Sequence, residues 1–242
     1  MPNHVTTTFT IEGPAEDLAR FRATHVIVVE KKGESDIFLD FRTVIPMPAI
    51  LDGIVSGSRT DLAVQYITGK RLHEITNNET VAKIAAMFPP LPAEEMERRY
   101  SGLTTEDLAM GARALQAIEE TGHPTWYEWC LASWGTKWNS YNFSIVDDGP
   151  TRFVCRFDTA WSTPTPVLTK LAELYPALQF TSHSYDEGGY FEAHGQGLRG
   201  QFVERTQDPT DVGYELAYGR PPDRDDDDEA EQVDAASRSG EA

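Results

Sequence analysis

All five tryptophans of this 242-residue chain lie between Trp126 and Trp161, within 36 residues. Tryptophan has the largest apolar side chain, so five in one short run mark the nucleus of a packed unit. The same run holds Cys130 and Cys155, the two cysteines of the chain. Two thiolates cannot supply an iron–sulfur or zinc site that needs four. Cys130 sits beside Trp126, Trp129 and Trp134, and Cys155 lies between Phe153 and Phe157. Both read as small core residues rather than as nucleophiles served by His123 or His183.

The periodicity around the run sets the fold class. From residue 125 the pattern reads helix (125–134), strand (141–146), strand (152–158), helix, strand (178–185) and strand (190–194). The second helix opens at Pro164, capped by Thr163, and its stripe is Val167, Leu168, Leu171, Leu174 and Tyr175. One strand ahead of this series completes a βαββαβ split sheet. Residues 4–12 provide it, with Val5, Thr7, Phe9 and Ile11 alternating on one face. The predicted class is therefore α+β: an antiparallel ferredoxin-like sheet with helices on one face, plus a helical middle segment. In that segment, 105–120 has a capping box at Thr104 and Asp107, one stripe (Leu108, Ala112, Leu115, Ile118) and a stop at Gly122 and Pro124. The expected divisions are 1–60, a strand–helix–strand portion contributing to the sheet; 61–122, helical; 123–207, ferredoxin-like; and 208–242, an acidic tail.

The net charge is −18, and residues 208–242, with 12 acidic and 3 basic side chains, carry −9 of it. The run DRDDDDEAE at 223–231 repels itself and offers no apolar face, so disorder is expected from about residue 220. Acidity disfavours direct binding of nucleic acid, which needs clustered Lys and Arg. The start, MPNHVTTTFT, has neither a basic nor an apolar leader region, and no stretch approaches the ~20 apolar residues of a membrane span. The expectation is a cytoplasmic protein with reduced thiols.

Several segments resemble the YubB-like proteins of phages and conjugative plasmids: MPNHVTTTFTIEG, FRTVIPMPAIL, WYEWCLASWGTKWNSYN, FDTAWSTPTPVLTKL, LYPALQF and SYDEGGYF. They occur in the same order and span most of residues 1–195. The resemblance implies a ferredoxin-like C-terminal half, in the sense of fold and not of a cluster, and a mobile-element origin. It implies no activity and no catalytic residue.

Three candidate sites follow. GQGLRG matches a dinucleotide fingerprint as a string, but QFVERT after it alternates like a strand where the motif requires a helix, so it reads as a glycine-rich turn and no cofactor is expected. Trp134, Trp138, Asn139, Tyr141, Asp158 and Trp161 are the candidate binding surface, an aromatic groove with polar anchors. His183, Glu187, Glu192 and His194 gather on one hairpin and form the alternative, a metal-dependent hydrolase centre. The favoured function is non-enzymatic: an accessory protein that binds a host protein, of the basic or DNA-binding kind, as an anti-defence DNA mimic or nuclease inhibitor. The acidic tail is a candidate for imitating nucleic-acid charge.

Overall fold

The structure, a computed structural model, describes residues 3–31, 34–77, 79–87 and 91–222. The acidic run 223–231, and with it most of the expected disordered tail, lies outside them.

Strand β1 (His4–Glu12) alternates as its β-branched sequence requires. Val5, Thr7, Phe9 and Ile11 are all fully buried on one face. β1 runs antiparallel between β5 (Arg152–Ala160) and β6 (Gln179–Asp186), so the first strand of the chain is central in the sheet. With β4 (Tyr141–Asp148), β7 (Glu192–Leu198) and β8 (Gln201–Gln207), the sheet has the order β4-β5-β1-β6-β7-β8. β4, β5, β1 and β6 are the ferredoxin-like unit, and α8 (Thr165–Leu174) crosses from β5 to β6. β7 and β8 extend it by a meander, joined at Arg199 and Gly200, both in the left-handed region (φ 52° and 80°) as a two-residue hairpin requires. GQGLRG is thus the end of one strand and its turn.

The later strands of the 1–60 portion do not enter this sheet. β2 (Val26–Lys31) and β3 (Glu34–Leu39) pair with each other as a separate ribbon, so among the described residues up to 60 it is β1 that joins the main sheet. Among the described residues, α1 (Ala15–His25), this ribbon, two short 3-10 turns and six more α-helices lie between β1 and β4 in the chain. These are α2 (Ser58–Thr68), α3 (Leu72–Ile75), α4 (Glu79–Ala86), α5 (Ala93–Ser101), α6 (Thr105–Thr121) and α7 (Trp126–Ser133). α6 begins with the Thr104–Asp107 capping box that its sequence specifies. It meets α2 at Gly111, where a Cβ would lie 2.8 Å from that of Ala63, so only glycine admits this approach.

The core lies between the sheet and α1, α7 and α8. Phe9 stacks on Phe180 at 5.6 Å, Phe21 packs against Phe153, Tyr175 and Phe180, and Phe41 bridges Phe157 to Trp134. Both cysteines are buried there; burial pushes the Cys130 thiol up to about 11 and raises that of Cys155 further, so neither supplies a thiolate near neutral pH.

A last helix, α9 (Asp211–Tyr218), falls in the stretch expected to begin the tail. It lies on the sheet face opposite the core, against β1, β6 and β7, with Gly213 and Ala217 buried. Tyr214 stacks on Tyr218 at 4.3 Å, and Tyr185 of β6 meets both edge-on. Both sheet faces therefore carry helix.

Candidate functional site

Of the six residues expected to form the groove, the structure brings Trp138 and Trp161 together around a residue the sequence did not single out. The Lys137 ammonium lies 4.6 Å from the Trp138 ring centre, 4.8 Å from Trp161 and 5.8 Å from Tyr127. Three aromatic rings around one cation form a cage, because each ring presents a negative face to it. Two loops are stitched together to build it. Thr136 Oγ1 donates to the Ala160 carbonyl and accepts from the Ala160 amide, and Ser162 Oγ donates to the Gly135 carbonyl. Trp161 itself is held at φ 72°. A left-handed backbone costs a bulky L-residue about 1–2 kcal/mol and persists only where the surroundings fix it. Its amide donates to the Asn3 carbonyl, and the indole remains 41 % exposed.

Tyr141 and Asp158 border this cage. Tyr141 packs edge-on against both Trp138 and His4, and its hydroxyl lies 2.9 Å from His4 Nδ1. Burial pushes that phenol up to about 12, with the charges of Asp158 and Glu187 adding to the effect. Asp158 accepts from Thr6 Oγ1 and from Asn142 Nδ2. Glu187, expected to join the histidines, instead accepts from the His4 amide at 2.6 Å and belongs to this end of the sheet. The surface is thus aromatic with an acidic border.

Trp134 and Asn139 point elsewhere. Trp134 is buried against Trp129 and Phe41, and its Nε1–H donates to the Ile45 carbonyl. Asn139 is a clamp: its Oδ1 accepts from the Phe41 and Ser140 amides while Nδ2 donates to Asp40. Helical spacing holds the signal for Trp134, since it follows the buried Cys130 by four residues on the α7 core face.

The three remaining hairpin residues form a chain on the α9 face. Glu192 is 1 % exposed and its carboxylate is fully engaged. Oε1 accepts from His194 Nε2 at 3.0 Å and Gln207 Nε2 at 2.5 Å, and Oε2 accepts from the Thr210 amide and hydroxyl at 2.8 and 2.9 Å. Burial alone would push this carboxyl up, but the hydrogen bonds outweigh it and hold it below the usual carboxylate range. With His194 Nε2 donating, a neutral His194 presents a bare Nδ1, which accepts from His183 Nδ1–H at 2.8 Å. One proton sits between the two rings. Burial above all holds His183 below its usual value, and a proton gained by His194 would add to the effect.

The chain serves α9. Thr210 caps that helix by accepting from the Gly213 amide, so the Glu192 carboxylate sits at its positive N-terminal end. At the other end Arg156 donates to Thr8, Thr8 donates to the Ala217 carbonyl, and the guanidinium lies against Gly219. Among the described residues no group of three or more His, Cys, Asp or Glu side chains is arranged to hold a metal ion. No helix of the described residues is long and apolar enough to cross a membrane.

Residues 133–220 match one family model. Its description is a ferredoxin-like domain in Api92-like protein. The matched segment takes in β4 to β8 and α9 and leaves out β1, the strand at the sheet's centre. Among solved structures, the crystal structure of protein api92 from Yersinia pseudotuberculosis is similar at 13 % identity and a TM-score of 0.41, over 87 % of this chain and 99 % of that one. No curated protein matches the chain.

Proposed function

We propose that this chain is a non-enzymatic accessory protein of a phage or plasmid that binds a basic protein partner in the host cytoplasm. The observation that carries the reading is the cage of Tyr127, Trp138 and Trp161 around Lys137, displayed by a strained backbone beside Asp158 and Glu187. Such a surface suits a basic partner: the exposed Trp161 offers apolar contact, and the carboxylates beside it attract an arginine or lysine. The net charge of −18 favours the same class of partner at longer range. A basic, DNA-binding host protein is the partner we favour, a defence nuclease above all, with the acidic surface occupying the groove meant for phosphates. The YubB-like resemblance of the sequence supports the mobile-element origin.

The test is affinity capture from host lysate with the full chain and a Trp161→Ala variant, across a salt series. A basic protein retained at low ionic strength and released as salt rises is expected, with retention cut about tenfold by loss of a central ring. Equal retention by the variant, or nothing retained at low ionic strength, overturns the proposal.

A further inference from the structure

The main sheet ends in two unlike edges, β4 and β8. β4 is a poor template for a further strand. Its pairing with β5 shifts register twice, Asn142 turns left-handed (φ 50°), and Asp147 and Asp148 close it with charge. β8 lacks these devices. It pairs with β7 in unbroken register from Gln201 to Gln207, and among the described residues no backbone group of β8 bonds outside β7. Its outer side is therefore a row of unpaired N–H and C=O groups. Of its two charged side chains, Glu204 is turned onto α8 and accepts from the Thr163 and Thr165 hydroxyls there. α8 lies lengthwise over the strand, its start at Glu204 and its end, Ala172 and the following Pro176, near Gly200. The edge is two layers deep. Val203 projects from it on the other face and is 63 % exposed.

We infer that β8 is a self-association edge: a second copy of this chain pairs with it antiparallel across a two-fold axis, joining two six-stranded sheets into one. The sequence of the strand selects both the copy and the register. Such an axis stands perpendicular to the sheet and keeps each face on its own side, so residues pair with their own copies or at even offsets. The registers that match most of QFVERTQ with itself put Val203, Glu204 or Arg205 on the axis. Glu204 or Arg205 would meet a like charge there, which opposes pairing. With Val203 on the axis two exposed valines meet, and Arg205 stands opposite Gln201, whose side-chain oxygen accepts a guanidinium N–H. Glu204 then faces Phe202 and keeps its bonds to α8. Charge favours this edge over the other, since β4 would bring Asp147 and Asp148 into a symmetric pairing. The aromatic cage lies beside β4 and β5, across the sheet from β8, so the dimer leaves both cages open and does not depend on the proposed partner.

Sedimentation velocity of the full chain over a range of concentration and salt tests this. A monomer–dimer equilibrium is expected. It should tighten as salt rises, because each copy carries −18, the reverse of the salt dependence expected with a basic partner. Val203→Asp sets two carboxylates face to face on the axis and should weaken the dimer about tenfold or more, whereas Val203→Leu should keep it. Both variants should leave the circular dichroism spectrum unchanged, since the side chain is exposed. Under mild oxidation Val203→Cys should give a covalent dimer, because opposite Cα atoms of an antiparallel pair lie within disulfide reach, and Val212→Cys, exposed on α9, should not. The native Cys130 and Cys155 are buried and do not compete. A monomer at every concentration, a dimer indifferent to Val203→Asp, or cross-linking through Val212 as readily as through Val203 would each overturn the inference. So would a monomer whose β8 amides resist hydrogen exchange, since a segment of the same chain or another protein would then be the occupant.

Discussion

Replacing Gly213 by alanine is expected to destabilise the protein by about 3 kcal/mol and to loosen α9, although glycine-to-alanine changes inside helices normally stabilise by about 1 kcal/mol. The reversal of sign comes from one contact. A Cβ at Gly213 would lie 1.6 Å from Glu192 Oε2 and 2.3 Å from Cδ, so the carboxylate must move. A free surface glutamate would swing aside at little cost. Glu192 is buried and holds four hydrogen bonds, and displacing it strands Thr210, Gln207 and His194 together. Chemical denaturation measures the loss, and hydrogen exchange over residues 211–218 locates it. A neutral or stabilising result would show that Glu192 does not anchor the helix.

A second large effect is expected in acid. His25 is 2 % exposed, between Thr43 and Tyr175. Thr43 Oγ1 donates its proton to the Asp40 carbonyl, so it accepts from His25 Nδ1–H, and Nε2 accepts from the Tyr175 hydroxyl. Neighbours thus select one neutral tautomer. Burial lowers His25 from 6.5 to about 4, partly opposed by the charge of Asp40. A lowered value means that the unfolded chain binds the proton more readily, so this contribution is complete above about pH 6.5 and is lost as pH falls toward 4. In total it amounts to about 3 kcal/mol. His183, also lowered, acts in the same direction. Urea midpoints at pH 7.5 and 4.5 should differ less in His25→Gln, which keeps a donor and an acceptor but cannot gain the charge. An unchanged difference would place the acid sensitivity elsewhere.

The sheet was largely legible because its strands are marked locally. Val5, Thr7, Phe9 and Ile11 alternate, Gly149 and Pro150 separate β4 from β5, and Pro164 stands at the entry to α8. That β2 and β3 form a separate ribbon was not legible in a 1–60 portion expected to contribute to the sheet, since pairing partners are chosen by packing and not by alternation. α9 was hidden by averaging. Its Thr210 cap and Gly219 stop stand in the sequence, yet they adjoin the charge-dense residues, and the helix depends on Glu192 and Arg156 from distant strands. The cage was half legible. Trp138 and Trp161 were visible as aromatics, but Lys137 and Tyr127 join them through loop-to-loop hydrogen bonds that leave no mark in either loop alone.

The central place of β1 has a consequence for synthesis. Glu12 pairs with Arg152 on one side and Gln179 on the other, 140 and 167 residues later in the chain. At about 5–20 residues per second, a nascent β1 waits on the order of 7–30 s after leaving the ribosome before its first neighbour is made. Through that interval both its edges are open and Val5, Phe9 and Ile11 have no sheet to join, which makes the first dozen residues the part of the molecule most in need of a chaperone.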